Sequence, residues 1–121
     1  MLGAVEKMNN QIITSALLNE EPELIDLIDK FISRLPGMRD AINKSHKENN
    51  EDELSGLIHQ MKGVGGGYGY PMLTELCSNI EFQIEGQNSE NVNELIKELN
   101  VMADRILEGS DENHKIAEAN S

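Results

Sequence analysis

The chain has 121 residues, which is enough for one domain with a single core. It carries 22 acidic against 10 basic residues, and the net charge of −12 argues against nucleic acid or a membrane surface as a direct partner. Its one cysteine, Cys77, excludes a disulfide within the chain and suits a reducing cytoplasm. Two Phe, two Tyr and no Trp favour an aliphatic core of interdigitating helices over a sheet sandwich.

Apolar residues at helical spacing divide the chain into successive elements. A short amphipathic helix is predicted over Met1 to Leu18, and a second helix is predicted to begin at Pro22, which is a favoured first helical position. The apolar stripe of the second helix keeps its phase past Pro36, so we expect a kink at that proline and not the end of the helix. This stripe consists of Leu24, Ile28, Phe31, Leu35, Met38 and Ile42.

Three further helices are predicted downstream. One covers about residues 52–67, the next begins at Pro71, and the last ends at Gly109. We therefore expect an all-α fold, an antiparallel four-helix bundle with a short additional N-terminal helix. Residues 1–109 are assigned to this domain. Residues 110–121 are polar, and we expect them to form a disordered tail.

The segment from Ser55 to Pro71 has an unusual composition. Its seventeen residues include six glycines and a single charge, Lys62, in a chain of which 26% is charged. Most of these glycines lie inside a predicted helix, where each costs roughly 1 kcal/mol relative to alanine. A requirement other than helix stability must therefore favour them.

A helical wheel of this segment places His59 on the outer face, away from the apolar side of the helix. The residues around the histidine on that face are Ser55, Gly56, Lys62, Gly63 and Gly66. Apart from the lysine, these residues have almost no side chain, so they leave the imidazole open to the surface of another protein. We call Ser55, Gly56, Gly63 and Gly66 the small-residue face and expect a partner to dock on it.

The residue types at this position suit phosphoryl transfer. A neutral imidazole, with an ordinary pKa of about 6.5, is a nucleophile near neutral pH and can hold a phosphoryl group as a covalent phosphoramidate. Lys62 lies one helical turn from His59 and is placed to offset the negative charge of that group. No acidic cluster is placed for Mg²⁺ beside the histidine, so we assign the metal to the partner protein.

The sequence His59-x-x-Lys62-Gly63, followed by Gly69, resembles the signature of the histidine-containing phosphotransfer (HPt) family. The resemblance continues into the next helix, where an L-x-x-x-C-x-x-L-E pattern is matched by Leu73, Cys77, Ile80 and Glu81. Upstream, the segment PELIDLIDKFISRLPGM is similar to the long helix that precedes the motif in that family. Together these similarities cover roughly residues 20–108.

The resemblance implies a bundle fold, a phosphohistidine at His59 and phosphoryl exchange with aspartates of response-regulator receiver domains. It implies no kinase activity of the domain itself and no bound cofactor, with Mg²⁺ held by the receiver. A hybrid sensor histidine kinase is a further candidate partner. We expect a monomer, since the net charge repels self-association, and a cytoplasmic location, including as the cytoplasmic end of a membrane-bound sensor kinase.

Several alternatives stay open at this stage. Gly69 is expected to act mainly as the turn before Pro71. Gln83 is a candidate for contacting the phosphoryl group, although an inert surface amide fits that position equally well. No His-based metal site is predicted, because His46 and His114 lack companions at ligand spacing. The whole chain is also compatible with a non-catalytic interaction module whose glycine-lined face receives a partner helix.

Overall fold

The structure, a computed structural model, describes residues 12–121. Within that range two 3₁₀ turns, Ala16–Asn19 and Pro22–Leu24, precede five α-helices and no strand occurs. The helices are α1 (Ile25–Lys47), α2 (Glu51–Gly67), α3 (Pro71–Glu85), α4 (Ser89–Glu108) and α5 (Ser110–Asn120). The all-α fold class predicted from the sequence is confirmed.

The prolines mark helix starts much as the sequence predicts, with one difference. Helix α1 runs through Pro36 as one element, as its unbroken apolar stripe indicates. It begins at Ile25, however, because Pro22 opens a 3₁₀ turn and not the α-helix itself. Pro71 is the first residue of α3, where its missing N–H costs no helical hydrogen bond.

Helices α1 to α4 form the bundle, in which each packs against the next and α4 packs back against α1. The short connections make consecutive helices antiparallel. The core between them is aliphatic, as the composition predicts. At one end of the bundle Phe31 packs against Tyr68 and Tyr70, with ring centroids 5.4 and 5.5 Å apart.

The disordered tail predicted for residues 110–121 is wrong, because residues Ser110–Asn120 form helix α5. The helix is held by Asn113, whose side chain is fully buried. Its Oδ1 accepts a hydrogen bond from the backbone N–H of Ser15 at 3.0 Å, and its Nδ2 donates to the hydroxyl of Tyr70 at 3.2 Å. Apolar packing adds to these hydrogen bonds, because Ala117 is buried in the core and Ile116 packs against it.

The helix predicted over Met1 to Leu18 falls mostly outside the described residues. Its described part, residues 12–18, contains no α-helix and leads into the first 3₁₀ turn. This stretch is tied to the α2–α3 connection, because Ala16 N–H donates to the carbonyl of Gly69 at 2.9 Å and Ser15 Oγ donates to that of Tyr68 at 2.6 Å. Among the helices of residues 12–121, none combines the length and apolar character needed to cross a membrane.

Candidate functional site

His59 projects from the middle of α2 into solvent. Its side chain is 72% exposed, while the preceding Ile58 and the following Met61 are buried in the core. The wheel prediction of an outward imidazole therefore agrees with the structure. Exposure of this degree leaves the ring accessible to a second protein.

A carboxylate of the neighbouring helix joins His59 to Lys62. Glu81 on α3 places Oε2 2.9 Å from Nδ1 of His59, and its Oε1 accepts a hydrogen bond from Nζ of Lys62 at 2.8 Å. Glu81 and Lys62 are partly buried in the α2–α3 groove, with side chains 23% and 31% exposed. The imidazole and the ammonium group are therefore held by one carboxylate between them.

This bridge fixes the protonation pattern of the imidazole. The hydrogen bond from Lys62 lowers the pKa of Glu81; partial burial opposes that effect, and the contact with His59 adds to it. The carboxylate is consequently ionised at neutral pH and can only accept hydrogen bonds. Nδ1 of a neutral His59 must then carry the proton, so that the lone pair resides on Nε2.

Two glycines of α2 allow α3 to approach closely enough for this contact. A Cβ on Gly65 would lie 2.9 Å from Cδ2 of Leu73, and one on Gly66 would lie 3.0 Å from Oγ1 of Thr74. The Thr74 hydroxyl also donates to the backbone carbonyl of Lys62 at 2.9 Å. Gly66, which we predicted to be a docking residue, thus borders α3 while remaining exposed, and its docking role stays a prediction.

The other members of the small-residue face surround the histidine with open space. A Cβ added at Gly56 or Gly63 would meet nothing within 4 Å, and Ser55 is half-buried. Gly69 forms the turn before Pro71 with a φ of +88°, where a Cβ would overlap Oγ of Ser15. Both its conformation and its surroundings require glycine, in agreement with the predicted turn.

Gln83 does not reach the histidine. Its Oε1 accepts a hydrogen bond from Nδ2 of Asn91 on α4 at 3.3 Å. Since Gln83 lies two residues beyond Glu81, about 200° around the helix, it faces the opposite neighbour of α3. Of the two alternatives left open for Gln83, this contact favours a surface amide over a residue that contacts the phosphoryl group. The sequence did not predict that Glu81 belongs to the site. Its one signal in the sequence is its place at the end of the L-x-x-x-C-x-x-L-E pattern.

Other reactive residues give no second site. Cys77 is fully buried on the core side of α3, and burial, helped by the charge of Glu81, raises the pKa of its thiol to about 12. It behaves as a small core hydrophobe. Across residues 12–121 no group of three or more His, Cys, Asp or Glu side chains is arranged to hold a metal ion.

Fold and site together define a class of protein: a small helical bundle that presents an exposed histidine beside a lysine and a carboxylate that contacts both. Comparison with protein-family models finds a match to the Hpt domain over residues 26–109, which is more than half of the chain. The chain therefore belongs to the Hpt domain family, whose members carry out histidine phosphotransfer with response-regulator receiver domains in two-component signalling. No match was found among curated proteins or solved structures.

Proposed function

We propose that Nε2 of His59 accepts a phosphoryl group from the aspartate of one receiver domain and passes it to another. The observation that carries this proposal is the bridge made by Glu81. The carboxylate engages Nδ1 of His59 and leaves Nε2 as the nitrogen with a lone pair. The His59 side chain is 72% exposed, so this nitrogen is accessible to a second protein.

The transfer balances without movement of a proton. The Nε2 lone pair forms a bond to phosphorus while the bond from phosphorus to the aspartyl oxygen breaks, and the aspartate leaves as a carboxylate. The proton on Nδ1 stays in place, so the phosphorylated ring of His59 becomes a cation. Its positive charge lies next to ionised Glu81, at the 2.9 Å contact. The reverse step needs no proton either, which suits a relay that runs in both directions.

Lys62 supplies positive charge for the incoming phosphoryl oxygens. Its ammonium group has three N–H donors, and one of them is used by Glu81 at 2.8 Å. The remaining donors are available on the partly exposed side, one helical turn from His59. We assign Mg²⁺ to the receiver domain, where it would neutralise charge on the donor aspartate.

The receiver would dock over the open part of the small-residue face, at Ser55, Gly56 and Gly63. Bare backbone there permits close approach to the imidazole. We further propose that the domain acts as a monomer in the cytoplasm, either freestanding or as part of a hybrid sensor histidine kinase. The net charge of −12, which opposes self-association, supports the monomer.

A labelling experiment tests the proposal. A receiver domain is phosphorylated with a radiolabelled acyl phosphate and Mg²⁺, and the protein is then added. We expect label on this protein that is acid-labile and base-stable, as a phosphoramidate is, and its loss in His59→Gln. Label that persists in His59→Gln would refute the site, and failure of the wild-type protein to accept label from a panel of receivers would refute the function.

The chain offers a matched control in His114. This histidine is also exposed and paired with a carboxylate, but through Nε2, which lies 2.8 Å from Oδ2 of Asp29. The nitrogen that attacks phosphorus in our proposal is therefore occupied in His114. We expect His114→Gln to accept label at the wild-type rate.

A further inference from the structure

Phe82 on α3 is the most exposed large apolar side chain of residues 12–121. It is 69% exposed, whereas Ile12, Leu27 and Val101, the other large apolar side chains at the surface, are 44 to 47% exposed. The remaining aromatic rings of the chain pack together at the end of the bundle. The ring of Phe82 thus contributes little to the core and leaves its apolar area in water.

Phe82 lies close to His59. It directly follows Glu81, whose carboxylate lies 2.9 Å from Nδ1 of His59, so the Cα of Phe82 is within about 12 Å of that nitrogen. Because Phe82 is one residue after Glu81, its side chain points about 100° further around α3. It therefore faces solvent and not the groove between α2 and α3. The residues one turn away on α3 are Ser78, Asn79, Glu85 and Gly86, which are all exposed, and Glu85 is the charged one among them. The ring therefore stands exposed beside the candidate phosphoacceptor, with the acidic side chains of Glu81 and Glu85 next to it on α3.

We propose that Phe82 is the apolar anchor for the receiver domain that exchanges phosphoryl groups with His59. This inference rests on the proposed function. A receiver must bring its aspartyl phosphate to bonding distance of Nε2, so its surface has to cover the surroundings of the histidine. An ordinary interface buries about 800 Å² on each partner, which corresponds to a disc of roughly 16 Å radius, and Phe82 lies inside such a disc.

The charge of the protein also favours an apolar anchor. The net charge of −12 attracts only basic surfaces at long range, so it does not by itself select a receiver domain. Selective affinity must then come from short-range contacts, and large aromatic side chains are enriched among the residues that contribute most to such contacts. The receiver is expected to offer an apolar recess beside its phosphorylated aspartate.

The test compares Phe82→Ala with a matched control, Val101→Ala. Val101 is also an exposed apolar residue, at 47%, but it lies on α4, which packs against α1 and α3 and not beside His59. Transfer from a phosphorylated receiver is measured over a range of receiver concentrations. We expect Phe82→Ala to raise KM roughly 10- to 30-fold, with the rate at saturation changed less than twofold. Phe82→Leu should recover most of the loss, and Val101→Ala should match the wild type.

The outcomes separate this inference from the function on which it rests. Wild-type labelling with an unchanged KM in Phe82→Ala would refute the anchor and leave the phosphotransfer function intact, as would an equal rise in Val101→Ala. No labelling of the wild-type protein would overturn both. If wild-type protein sediments as a dimer and Phe82→Ala as a monomer, the ring is covered by a second copy of the chain, and the receiver assignment is wrong.

Discussion

Substitution of Asn113 by alanine tests how the last helix is attached to the bundle. The side chain is fully buried and makes two hydrogen bonds, from Ser15 N–H at 3.0 Å and to the Tyr70 hydroxyl at 3.2 Å. Both partners are themselves buried, with Ser15 2% and Tyr70 0% exposed. Asn113→Ala would therefore leave a backbone donor and a phenolic oxygen without their partner, away from water.

The cost can be worked from these contacts. A buried polar group that loses its partner costs about 1–3 kcal/mol. Two such groups, allowing for some relaxation around the shorter side chain, give a destabilisation of about 2–4 kcal/mol. That is a large share of the roughly 5–15 kcal/mol by which a domain of this kind is stable. We therefore expect Asn113→Ala to shift the unfolding midpoint clearly while the bundle still folds.

Urea unfolding followed by far-ultraviolet circular dichroism measures the change, with His114→Ala as the control. His114 is the next residue of α5, and its exposed pair with Asp29 should contribute only about 0–1 kcal/mol. A loss below about 1 kcal/mol for Asn113→Ala, or equal losses for the two variants, would refute the reasoning. A chain ending at residue 109 should lose at least as much stability as Asn113→Ala.

Two further predictions concern the bridge at the site. Glu81→Ala should lower the phosphotransfer rate roughly tenfold, because Nδ1 of His59 loses an ionised acceptor, and nitrogen chemical shifts should then show mixed imidazole tautomers; an unchanged rate would contradict this role. Since the pKa of Glu81 is lowered in the folded protein, the stabilisation that it gives is complete above the unfolded pKa of about 4.3 and is lost as pH falls through the lower folded value. Between those two pKa values the unfolding free energy of the wild type should fall more steeply than that of Lys62→Gln, and parallel curves would show that the ion pair is not responsible.

The bundle could be predicted from the sequence because its helices carry strong and mutually consistent signals. Apolar spacing identified the core side of α2, Pro71 the start of α3, and Gly109 the end of α4. Helix α5 could not be predicted in this way. Its attachment combines a few small apolar contacts, made by Ile116 and Ala117, with a buried amide, Asn113, whose partners are distant in sequence. A count of apolar residues does not detect a polar anchor.

At the candidate site, too, the features that depend on one helix could be predicted from the sequence, and those that depend on the packing of two helices could not. The exposure of His59 follows from a single helical wheel, since the core side of α2 determines which face is outward. The partnership of Glu81 depends on the distance and the axial register between α2 and α3, and neither is present in the pattern of one helix. Gln83 illustrates the consequence, because a residue only two positions from Glu81 faces α4 instead.

The glycines of α2 fall into two physical kinds, and this division explains why the helix keeps so many of them. Gly65 and Gly66 lie against α3, where a Cβ would press on Leu73 and on the Thr74 hydroxyl and require these side chains to shift. Gly56 and Gly63 face open space, where a side chain would harm no contact within the protein. Alanine at the open positions should even favour the helix, by roughly 1 kcal/mol each. In the proposed function, their bare backbone lets a receiver domain approach His59 closely.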